Sequence, residues 1–283
     1  MPELPEVETV RRSLTDRIIG HVVRSVRVHR PDVVHGPKRP MDLLRGHMIG
    51  RLDRLGKQLV FVGNTTTGTD ARCVCVHFGM SGSLRYADQA SSLALDPHVH
   101  VIWKFAGGGQ LTFRDPRRFG GLWSFASTAA LHRHHWKRLG EDALYITPMR
   151  LHRRLAATSR PLKAALLDQN LIAGLGNIYA DELLFACGLY PLRRADSLTP
   201  IQVQYLVRTM RRLLCRAIEA GGSTLRDHAN SNGDPGHFQH HHHVYGRRGQ
   251  ACHQCQCRLT ATVIAGRSTV FCCHCQARGS ARQ

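Results

Sequence analysis

Met1-Pro2-Glu3-Leu4-Pro5-Glu6-Val7-Glu8 opens the chain, and its apolar residues continue at helical spacing into the stretch that follows. The apolar positions are Val7, Val10, Leu14 and Ile18. They fall on one face of a helix, so a helix is predicted over residues 6–19. Such a helix would anchor the N-terminus to a hydrophobic core, and the rest of the N-terminal fold is expected to pack around it.

The same stretch has chemical potential at its first residues. If Met1 is removed, Pro2 carries a free secondary amine, and Glu3 follows it directly. An α-amino group titrates near ~7.7–8.0, so part of it is neutral and nucleophilic near pH 7. Such amines attack carbonyl-like carbons and form Schiff bases, and a neighbouring carboxylate can move protons. On these residues alone, a frayed terminus with an ordinary proline is an equally good reading.

The overall charge restricts the partners. The chain has 283 residues, enough for two domains, and a formal net charge of +19. A balance this basic favours a polyanion, either nucleic acid or an anionic membrane surface. No apolar run approaches the ~18 residues of a membrane span. The start of the chain is acidic, unlike a secretory signal. We therefore expect a soluble intracellular protein that binds nucleic acid, with no membrane partner.

Residues 21–125 have the pattern of a β-rich domain. Short apolar runs alternate with turn signals such as Gly63-Asn64, Gly68-Thr69 and Gly107-Gly108-Gly109. The predicted strands are His21–Val28, Leu59–Val62, Cys73–Phe78, His98–Phe105, Gln110–Phe113 and Gly121–Phe125. Many short strands together with one long helix predict a β-sandwich.

Three loops between these strands have unusual content. Lys57 follows Gly56 just before an apolar strand, and Met80 lies in the glycine-flanked turn Gly79–Gly82. Taken alone, these two are better read as a surface lysine and a core residue. The turn Phe113–Gly120 carries three arginines and two aromatic residues. Arginine beside an aromatic side chain suits phosphate contact combined with a wedge into stacked bases.

From residue 150 the pattern becomes helical. Short helices are predicted at Leu151–Ala157 and Leu162–Leu167, and Thr199-Pro200 begins a longer one. Between them, a glycine-containing turn leads through Asn177, a predicted N-cap, into a helix over Ile178–Ala186. Backbone N–H groups at such a helix start can hold a phosphate. An ordinary corner between two helices explains this pattern equally well.

The ten cysteines fall into two groups. Cys73, Cys75, Cys187 and Cys215 lie in apolar surroundings and are predicted to be buried. Cys252-x2-Cys255 and Cys272-x2-Cys275 are separated by sixteen residues, the spacing of a four-cysteine zinc site. We predict one structural zinc ion there, with Cys257 and Cys273 outside the ligand set. The intervening residues 260–270 read as a basic β-hairpin that turns at Ala265–Ser268.

Residues 223–245 are polar and include four adjacent histidines, His240–His243. A metal-binding box or a tag would also place histidines together. The run is internal, however, and consecutive side chains do not share a face. It is predicted to be a solvated loop.

Five stretches of the sequence, taken in the order in which they occur, resemble the motifs of a known family. They are Pro2–Glu8, Gly79–Gly82, Asp115–Gly120, Gly176–Ala180 and the terminal cysteine pattern. In this order they resemble the bacterial formamidopyrimidine-DNA glycosylases, which are 8-oxoguanine DNA glycosylase/AP lyases, over essentially the whole chain. The resemblance implies a DNA-repair enzyme that removes oxidised purines from double-stranded DNA and cleaves the strand by β,δ-elimination. It also implies a monomer in the bacterial cytoplasm, associated with the nucleoid.

The resemblance assigns roles to individual residues. Pro2 is implied as the Schiff-base nucleophile and Glu3 as the group that handles protons at the sugar. Lys57 and Arg267 are implied in strand cleavage. Met80, Arg117 and Phe119 match residues that fill the gap left by the flipped base. The remaining DNA contacts implied are His98, Arg117, Lys163 and Asn177, and the zinc ligands are Cys252, Cys255, Cys272 and Cys275.

The implied fold is α+β, with four parts. Residues 1–130 form an antiparallel β-sandwich with the long N-terminal helix, and 131–150 form a linker. Residues 151–245 form a helix–two-turn–helix domain with a lesion-recognition loop, and 246–283 form a zinc-finger β-hairpin. Two departures affect phosphate contacts and the hinge: Thr158-Ser159 replaces a common lysine, and the linker reads Leu139-Gly140-Glu141-Asp142.

Two alternatives stay open at this stage. An endonuclease VIII-like enzyme would use the same chemistry on oxidised pyrimidines. A non-catalytic protein would bind DNA through its zinc hairpin and basic surface alone.

Overall fold

The computed structural model describes residues 1–35, 43–64, 72–89, 96–224 and 229–277. The turn signal Gly68-Thr69, part of the polar segment 223–245 and the basic residues Arg278 and Arg282 lie outside these ranges. The described chain forms two compact units. Unit 1 comprises Met1–Arg138 and Ala220–His237, and unit 2 comprises Leu139–Glu219 and Phe238–Gln283.

Helix α1 (Leu4–Ile18) begins unit 1 and confirms the helix predicted from the first residues. Pro5 lies in its first turn, where the missing N–H breaks no helical hydrogen bond. Glu3 is the N-cap, and its backbone N–H donates to Glu6 Oε2 at 2.8 Å. The predicted apolar stripe is fully inside, because Val7, Leu14 and Ile18 have no exposed surface.

Two sheets form a β-sandwich in unit 1. One has the strand order β2-β9-β5-β4-β3 and the other β1-β7-β8-β6 within the described residues. The pairs are antiparallel apart from β2 with β9, which is parallel. The strands are β1 (Val23–Val28), β2 (Val34–His35), β3 (Met48–Leu55), β4 (Gln58–Asn64), β5 (Arg72–His77), β6 (Ser83–Ala87), β7 (Val99–Phe105), β8 (Gln110–Arg114) and β9 (Gly121–Phe125).

The sandwich is held by one apolar core, to which α1 and strands of both sheets contribute. Trp103, Phe61 and Phe113 are its largest buried side chains from the strands. The indole N–H of Trp103 donates to Leu43 O at 3.0 Å, so its polar atom is satisfied inside the core. The predicted α+β class with an N-terminal sandwich is confirmed.

The segment Ala220–His237 belongs to unit 1 although it follows a long stretch of unit 2 in sequence. Its Ser223 N–H donates to Glu6 Oε1 at 2.7 Å, and its Ser231 hydroxyl donates to the Ser13 hydroxyl of α1 at 2.7 Å. Tyr86 N–H in β6 donates to Ser231 O at 2.9 Å. The predicted range 151–245 grouped this segment with the helices, whereas its hydrogen bonds join it to α1 and the sandwich.

Helices dominate unit 2, and the zinc-finger sequence forms a hairpin. After a short α2 (Thr128–Leu131) in unit 1, the helices are α3 (Pro148–Ala156), α4 (Leu162–Leu167), α5 (Asn177–Ala186) and α6 (Pro200–Glu219). The predicted linker contains β10 (Glu141–Asp142), which pairs in parallel with β11 (Ile172–Ala173). Strands β12 (Thr260–Ile264) and β13 (Arg267–Phe271) form the predicted hairpin. Among the described helices, none is long and apolar enough to cross a membrane.

One cysteine prediction is wrong. Cys73, Cys75 and Cys187 are buried, and burial raises the pKa of the Cys73 thiol to about 11 and that of the Cys187 thiol to about 12. Cys215 is exposed. It lies on α6 one residue beyond the buried Leu214, which turns its side chain away from the core face.

Candidate functional site

The N-terminus of unit 1 is packed rather than frayed. Pro2 is buried, and Glu3 and Glu6 are each only 2% exposed. Glu6 accepts hydrogen bonds from two backbone groups, Glu3 N–H at 2.8 Å and Ser223 N–H at 2.7 Å. The carboxylate of Glu6 therefore fixes the backbone beside the terminal amine, a role that was not predicted for it.

The terminal amine lies among charged groups. With Met1 present, burial lowers the pKa of the α-amino group below its ordinary value. The carboxylates of Glu3 and Glu6 oppose this shift, while the positive charges of Lys57 and Arg117 add to it. Three residues predicted for the site, Glu3, Lys57 and Arg117, thus share the electrostatic environment of the N-terminus.

Lys57 lies in the two-residue turn between β3 and β4, where Leu55 pairs with Gln58. Gly56 has a φ of 57°, a conformation that this tight turn requires and that glycine adopts readily. The turn leaves Lys57 only 9% exposed, so it is not the surface lysine that its local sequence suggested. Burial, followed by the charge of Lys57, lowers the pKa of His77. The Nδ1 atom of His77 accepts a hydrogen bond from Gly79 N–H at 3.1 Å, which a neutral imidazole can do.

Two loops next to this region present large side chains to solvent. The Met80 loop (residues 78–82) holds Met80 43% exposed, and the Arg117 loop (residues 115–120) holds Phe119 57% exposed. Met80 is therefore not the core residue that its turn alone suggested. The Arg117 guanidinium lies over the Phe119 ring, 4.7 Å from its centroid. An exposed apolar side chain beside a stacked arginine is the combination expected for insertion into a base stack.

Asp115 is at the base of both loops and is fully buried. Its Oδ1 accepts from the Ser81 hydroxyl at 2.6 Å, and its Oδ2 accepts from Gly120 N–H at 2.7 Å. Its backbone N–H donates to the carbonyl of His98, whose side chain is exposed. The sequence singled out the Arg117 loop, but Asp115 and Ser81 are 34 positions apart and nothing in their spacing indicated the contact.

In unit 2, Lys163 is completely buried, which contradicts its expected role as a phosphate contact. Its ammonium contacts Asp181 Oδ1 at 2.7 Å and donates to Thr269 Oγ1 at 2.8 Å and to Ser268 O at 3.0 Å. These acceptors neutralise and solvate the buried charge, so it faces protein rather than solvent. Lys163 instead attaches β13 to helices α4 and α5.

Asp181 completes this attachment from α5. Burial raises the pKa of Asp181 to about 6, although the charge of Lys163 acts in the opposite direction. Its Oδ2 accepts from Val270 N–H at 3.1 Å. The hairpin is therefore held to α5 at a backbone amide as well as through Lys163.

Asn177 was predicted to be the N-cap of α5. In the structure it is the first residue of the helix, and Gly176 is the N-cap. The Asn177 amide donates to Ser268 O at 2.9 Å, which turns the side chain away from a capping position. Its Oδ1 is buried and has no hydrogen-bond partner within the described part of the chain. Asn177 thus contacts the same carbonyl as Lys163 and also supports the hairpin.

Arg267 is the first residue of β13, directly after the turn Ala265-Gly266, and is exposed. Ala265 and Gly266 both have positive φ, at 50° and 69°, so the hairpin turns tightly. Behind Arg267, the contacts of Ser268, Thr269 and Val270 fix the strand. The hairpin therefore presents the exposed Arg267 at its tip, on a strand that helices α4 and α5 hold.

The predicted ligand cysteines form a single cluster. The Sγ atoms of Cys252, Cys255, Cys272 and Cys275 all lie within 4.8 Å of one another. Cys255 Sγ and Cys272 Sγ are 3.4 Å apart, and Cys252 Sγ and Cys275 Sγ are 3.9 Å apart. A tetrahedral ion with M–S bonds of ~2.3 Å requires S–S distances near ~3.8 Å, so the four thiolates fit such an ion. Cys257 and Cys273 are exposed and outside the cluster, as predicted.

The histidine run differs in part from the prediction of a solvated loop. His240, His241 and His243 are exposed, but His242 is only 6% exposed and packs edge-on against Phe238 and Tyr245. Burial lowers the pKa of His242. In the described residues, the cysteine cluster is the one group found that could hold a metal ion, and the histidines are not part of one.

Comparison with known proteins gives a consistent result over the whole length. Residues 1–122 match the model of the formamidopyrimidine-DNA glycosylase N-terminal domain, and residues 139–229 match that of the formamidopyrimidine-DNA glycosylase H2TH domain. The formamidopyrimidine-DNA glycosylase of Geobacillus kaustophilus is 39% identical, covering 98% of this chain and 100% of the relative. That of Rhodospirillum rubrum is 43% identical, covering 96% and 98%.

Solved structures show the same similarity. The MutM (Fpg) protein of Thermus thermophilus superposes with a TM-score of 0.84 at 39% identity, covering 99% of this chain and 100% of that one. A Lactococcus lactis Fpg in complex with DNA containing an abasic site gives a TM-score of 0.86 at 33% identity, covering 98% and 100%. Another Lactococcus lactis complex, of a mutant with DNA containing Fapy-dG, gives the same values.

Proposed function

The chain belongs to the formamidopyrimidine-DNA glycosylase family, and from this premise we propose that it is a DNA-repair glycosylase for oxidised purines. Its substrates are 8-oxoguanine and formamidopyrimidines in double-stranded DNA. Relatives crystallised with abasic-site and Fapy-dG DNA support the substrate class. The observation that carries the proposal is that Pro2 and Glu3 are buried while the terminal amine lies in the field of Glu3, Lys57 and Arg117.

We propose that the reaction begins at the amine of Pro2 once Met1 has been removed. The amine forms a bond to C1′ of the damaged nucleotide as the bond from C1′ to the base breaks, and the proton lost by the amine neutralises the departing base. Opening of the sugar then leaves an iminium ion, and Glu3 delivers the proton that O4′ needs. Burial holds more of the amine in its neutral, nucleophilic form in spite of the carboxylates of Glu3 and Glu6, which suits this role.

The same intermediate accounts for strand cleavage. The iminium acidifies the C2′ proton, and loss of that proton expels the 3′ phosphate in a β-elimination. A second, δ-elimination expels the 5′ phosphate and completes the lyase reaction. We assign Lys57 as the general acid of cleavage and Arg267 to the second elimination and its phosphate. The near-complete burial of Lys57 supports a positioned proton donor rather than a solvated surface charge.

DNA binding is assigned to surfaces with matching chemistry. Base extrusion leaves a gap, and Met80, Arg117 and Phe119 are the exposed side chains proposed to fill it. Exposed His98 is proposed as a DNA contact and half-buried Asn177 as a phosphate contact. Lys163 is left out, because its ammonium is buried among protein acceptors.

We propose that the four-cysteine cluster holds one structural zinc ion, bound by Cys252, Cys255, Cys272 and Cys275. Four thiolates close the coordination sphere, so this ion would supply folding energy and no open position for chemistry. Substitution Cys272→Ser should remove the metal and the DNA affinity together. Tight DNA binding by a metal-free variant would contradict the structural role.

The deciding experiment for the enzyme is covalent trapping. Borohydride added to the protein with an 8-oxoguanine duplex should yield a protein–DNA adduct, and peptide mapping should place the bond at Pro2. Pro2→Gly should weaken or alter trapping, and a chain with one extra residue ahead of Pro2 should give none. Failure of every damaged duplex to give an adduct would leave only a zinc-hairpin DNA-binding protein.

A competition between lesions separates the nearest alternative. Duplexes carrying 8-oxoguanine or thymine glycol, opposite cytosine or adenine, should be processed with the purine lesion preferred. Preference for thymine glycol would instead indicate an endonuclease VIII-like enzyme. Intact-mass measurement of the purified protein should show the loss of Met1, without which the amine of Pro2 does not exist.

A further inference from the structure

We propose that Asp115, acting through the Ser81 hydroxyl, locks the Met80 loop and the Arg117 loop into one rigid wedge that fills the DNA gap. The inference rests on the proposed function, since it concerns how the gap-filling side chains are held. Asp115 and Ser81 are positioning residues, because neither is proposed to touch the reacting atoms. All of the atoms involved belong to unit 1.

The lock is a chain of hydrogen bonds between the two loops. The Ser81 hydroxyl donates to Asp115 Oδ1 at 2.6 Å and accepts from Arg117 N–H at 3.2 Å. The same carboxylate accepts from Gly120 N–H at 2.7 Å through its other oxygen. The side chain of Ser81 therefore bridges the residue next to Met80 to the backbone of Arg117. The ends of the Arg117 loop are closed onto each other by Asp115.

Asp115 is itself fixed from behind. Its carbonyl accepts from His100 Nε2 at 2.8 Å and from Arg118 N–H at 3.2 Å, and both Asp115 and His100 are almost completely buried. A buried carboxylate without donors would be unfavourable, so its two short hydrogen bonds stabilise it in place. The carboxylate is thus an internal anchor from which the two exposed loops extend.

Backbone packing confirms that the loops are in direct contact. A Cβ built on Gly79 would clash with the backbone of Phe119 and Gly120, and one on Gly120 would clash with the backbone of His77 and Phe78. The loops therefore approach each other more closely than residues with side chains would allow. Contact alone does not fix their relative position, however, and the directional bonds of Ser81 provide that constraint.

Rigidity matters because of when the wedge acts. Extrusion of a base loses stacking and pairing of a few kcal/mol, which inserted side chains must offset as the gap opens. Met80 and Phe119 are exposed, so the free protein holds them ready only if their loops are held. If the wedge must first be ordered, less of its binding free energy remains to offset the lost base stacking. Base extrusion is then slower.

The test compares Ser81→Ala with Ser81→Thr and with Ser83→Ala, a serine in β6 outside the lock. Single-turnover release of 8-oxoguanine from a duplex should fall about tenfold in Ser81→Ala, as loss of one charge-assisted hydrogen bond implies. Cleavage at a preformed abasic site, which has no base to extrude, should stay within about twofold. Ser81→Thr should restore base release, and Ser83→Ala should match the wild type.

A second readout follows the extrusion step itself. The fluorescence of 2-aminopurine placed beside the lesion should rise about tenfold more slowly with Ser81→Ala than with the wild type. The lock would be overturned if Ser81→Ala slowed the reactions of both substrates equally. It would also be overturned if the variant slowed neither 8-oxoguanine release nor the rise in fluorescence. A wild-type protein that acts on neither substrate would contradict the proposed function instead, and the fluorescence change on binding would still decide the lock.

Discussion

Glu8 shows how one side chain joins the first helix to the sheet beneath it. Its carboxylate is 8% exposed and accepts from Arg54 of β3 at 3.0 Å, and the Arg54 side chain is 3% exposed. Arg11 and Arg12 of α1 contact the same carboxylate at 2.8 and 3.0 Å. Burial alone would raise its pKa, but hydrogen bonds from Arg11 and Arg12, with the charge of Arg54, lower the pKa to about 2.

The depressed pKa of Glu8 predicts a specific acid sensitivity. The pKa of Glu8 is lower in the folded than in the unfolded protein, so its ionised carboxylate contributes to the free energy of unfolding. This contribution is full above about pH 4.5 and is lost as the pH falls towards 2. The free energy of unfolding should decrease when the pH is lowered from 7 to 3. This decrease should be about 1–2 kcal/mol smaller for Glu8→Gln than for the wild type. Urea unfolding at the two pH values measures the difference. Glu219→Gln, at an exposed end of α6, should lose as much as the wild type.

The N-terminal amine makes a second prediction at this scale. The surroundings that lower the pKa of the Met1 amine also surround Pro2, so the Pro2 amine should react at lower pH than a free peptide of the same terminal sequence. Cyanoborohydride trapping on abasic DNA, followed against pH for protein and peptide, measures both inflections. An inflection for the protein at or above that of the peptide would show that these surroundings do not lower the pKa of the amine.

Among the structural elements, the Met80 loop depends on a glycine with no room for a side chain. Gly79 has a φ of 56° and lies against the backbone of the Arg117 loop, whereas Gly107 has a φ of 87° and nothing within 4 Å of a built Cβ. Alanine at Gly107 should therefore cost about 1 kcal/mol of unfolding free energy, from backbone strain alone. Gly79→Ala should cost at least about 2 kcal/mol more, because two loops must also move apart. Equal losses in urea unfolding would refute the close packing.

The buried ion pair between Lys163 and Asp181 attaches β13 to the helices, and its removal should lower the stability of the protein. Lys163→Met leaves the Asp181 carboxylate buried without its partner and should cost about 3 kcal/mol of unfolding free energy. The double variant Lys163→Met/Asp181→Asn removes the stranded charge and should recover most of that loss. Arg153→Met, an exposed change on α3, serves as the control. A double variant no more stable than the single one would show that the pair is not the source of the effect.

Some of these elements follow from sequence and others do not, for identifiable reasons. Helix α1, the hairpin and the cysteine cluster rest on local periodicity and spacing, and their predictions are confirmed. Strands β3 and β6 were not predicted, because Arg51, Asp53 and Arg85 interrupt their apolar pattern on the outer face. The burial of Lys163 depends on Asp181 and Thr269, partners that no local pattern identifies.

Within the candidate site, the exposed or reactive residues were easier to predict than those that hold them. Pro2, Lys57 and Arg117 have side chains whose roles the family resemblance implied. Glu6, Ser81 and Asp115 act through contacts with distant positions, and their chemistry is ordinary in sequence. Positioning residues are therefore visible only once the chain has been folded.

For the whole molecule, the charge of +19 predicts the salt dependence of DNA binding. Affinity for a duplex with a non-cleavable abasic analogue should fall linearly in a plot of log affinity against log salt. With six to ten phosphate contacts, the loss from 50 to 200 mM salt would be roughly 10³–10⁵-fold. Arg267→Gln should reduce the slope by about one, while Arg153→Gln leaves it unchanged. A slope near zero would exclude the basic surface as the main source of affinity.

The return of Ala220–His237 to unit 1 has a consequence for how the protein matures during its synthesis. Glu6 needs the amide of Ser223, and Ser13 needs Ser231, so a nascent chain that ends at Arg138 lacks these partners. At ~5–20 residues per second, the ribosome takes roughly ten seconds to supply them. The first residues to leave the ribosome are thus among the last to be fixed in place. If Met1 is removed as proposed, the terminal amine is exposed to the processing enzyme during that interval, before the hydrogen bonds of Glu6 and Ser13 are complete.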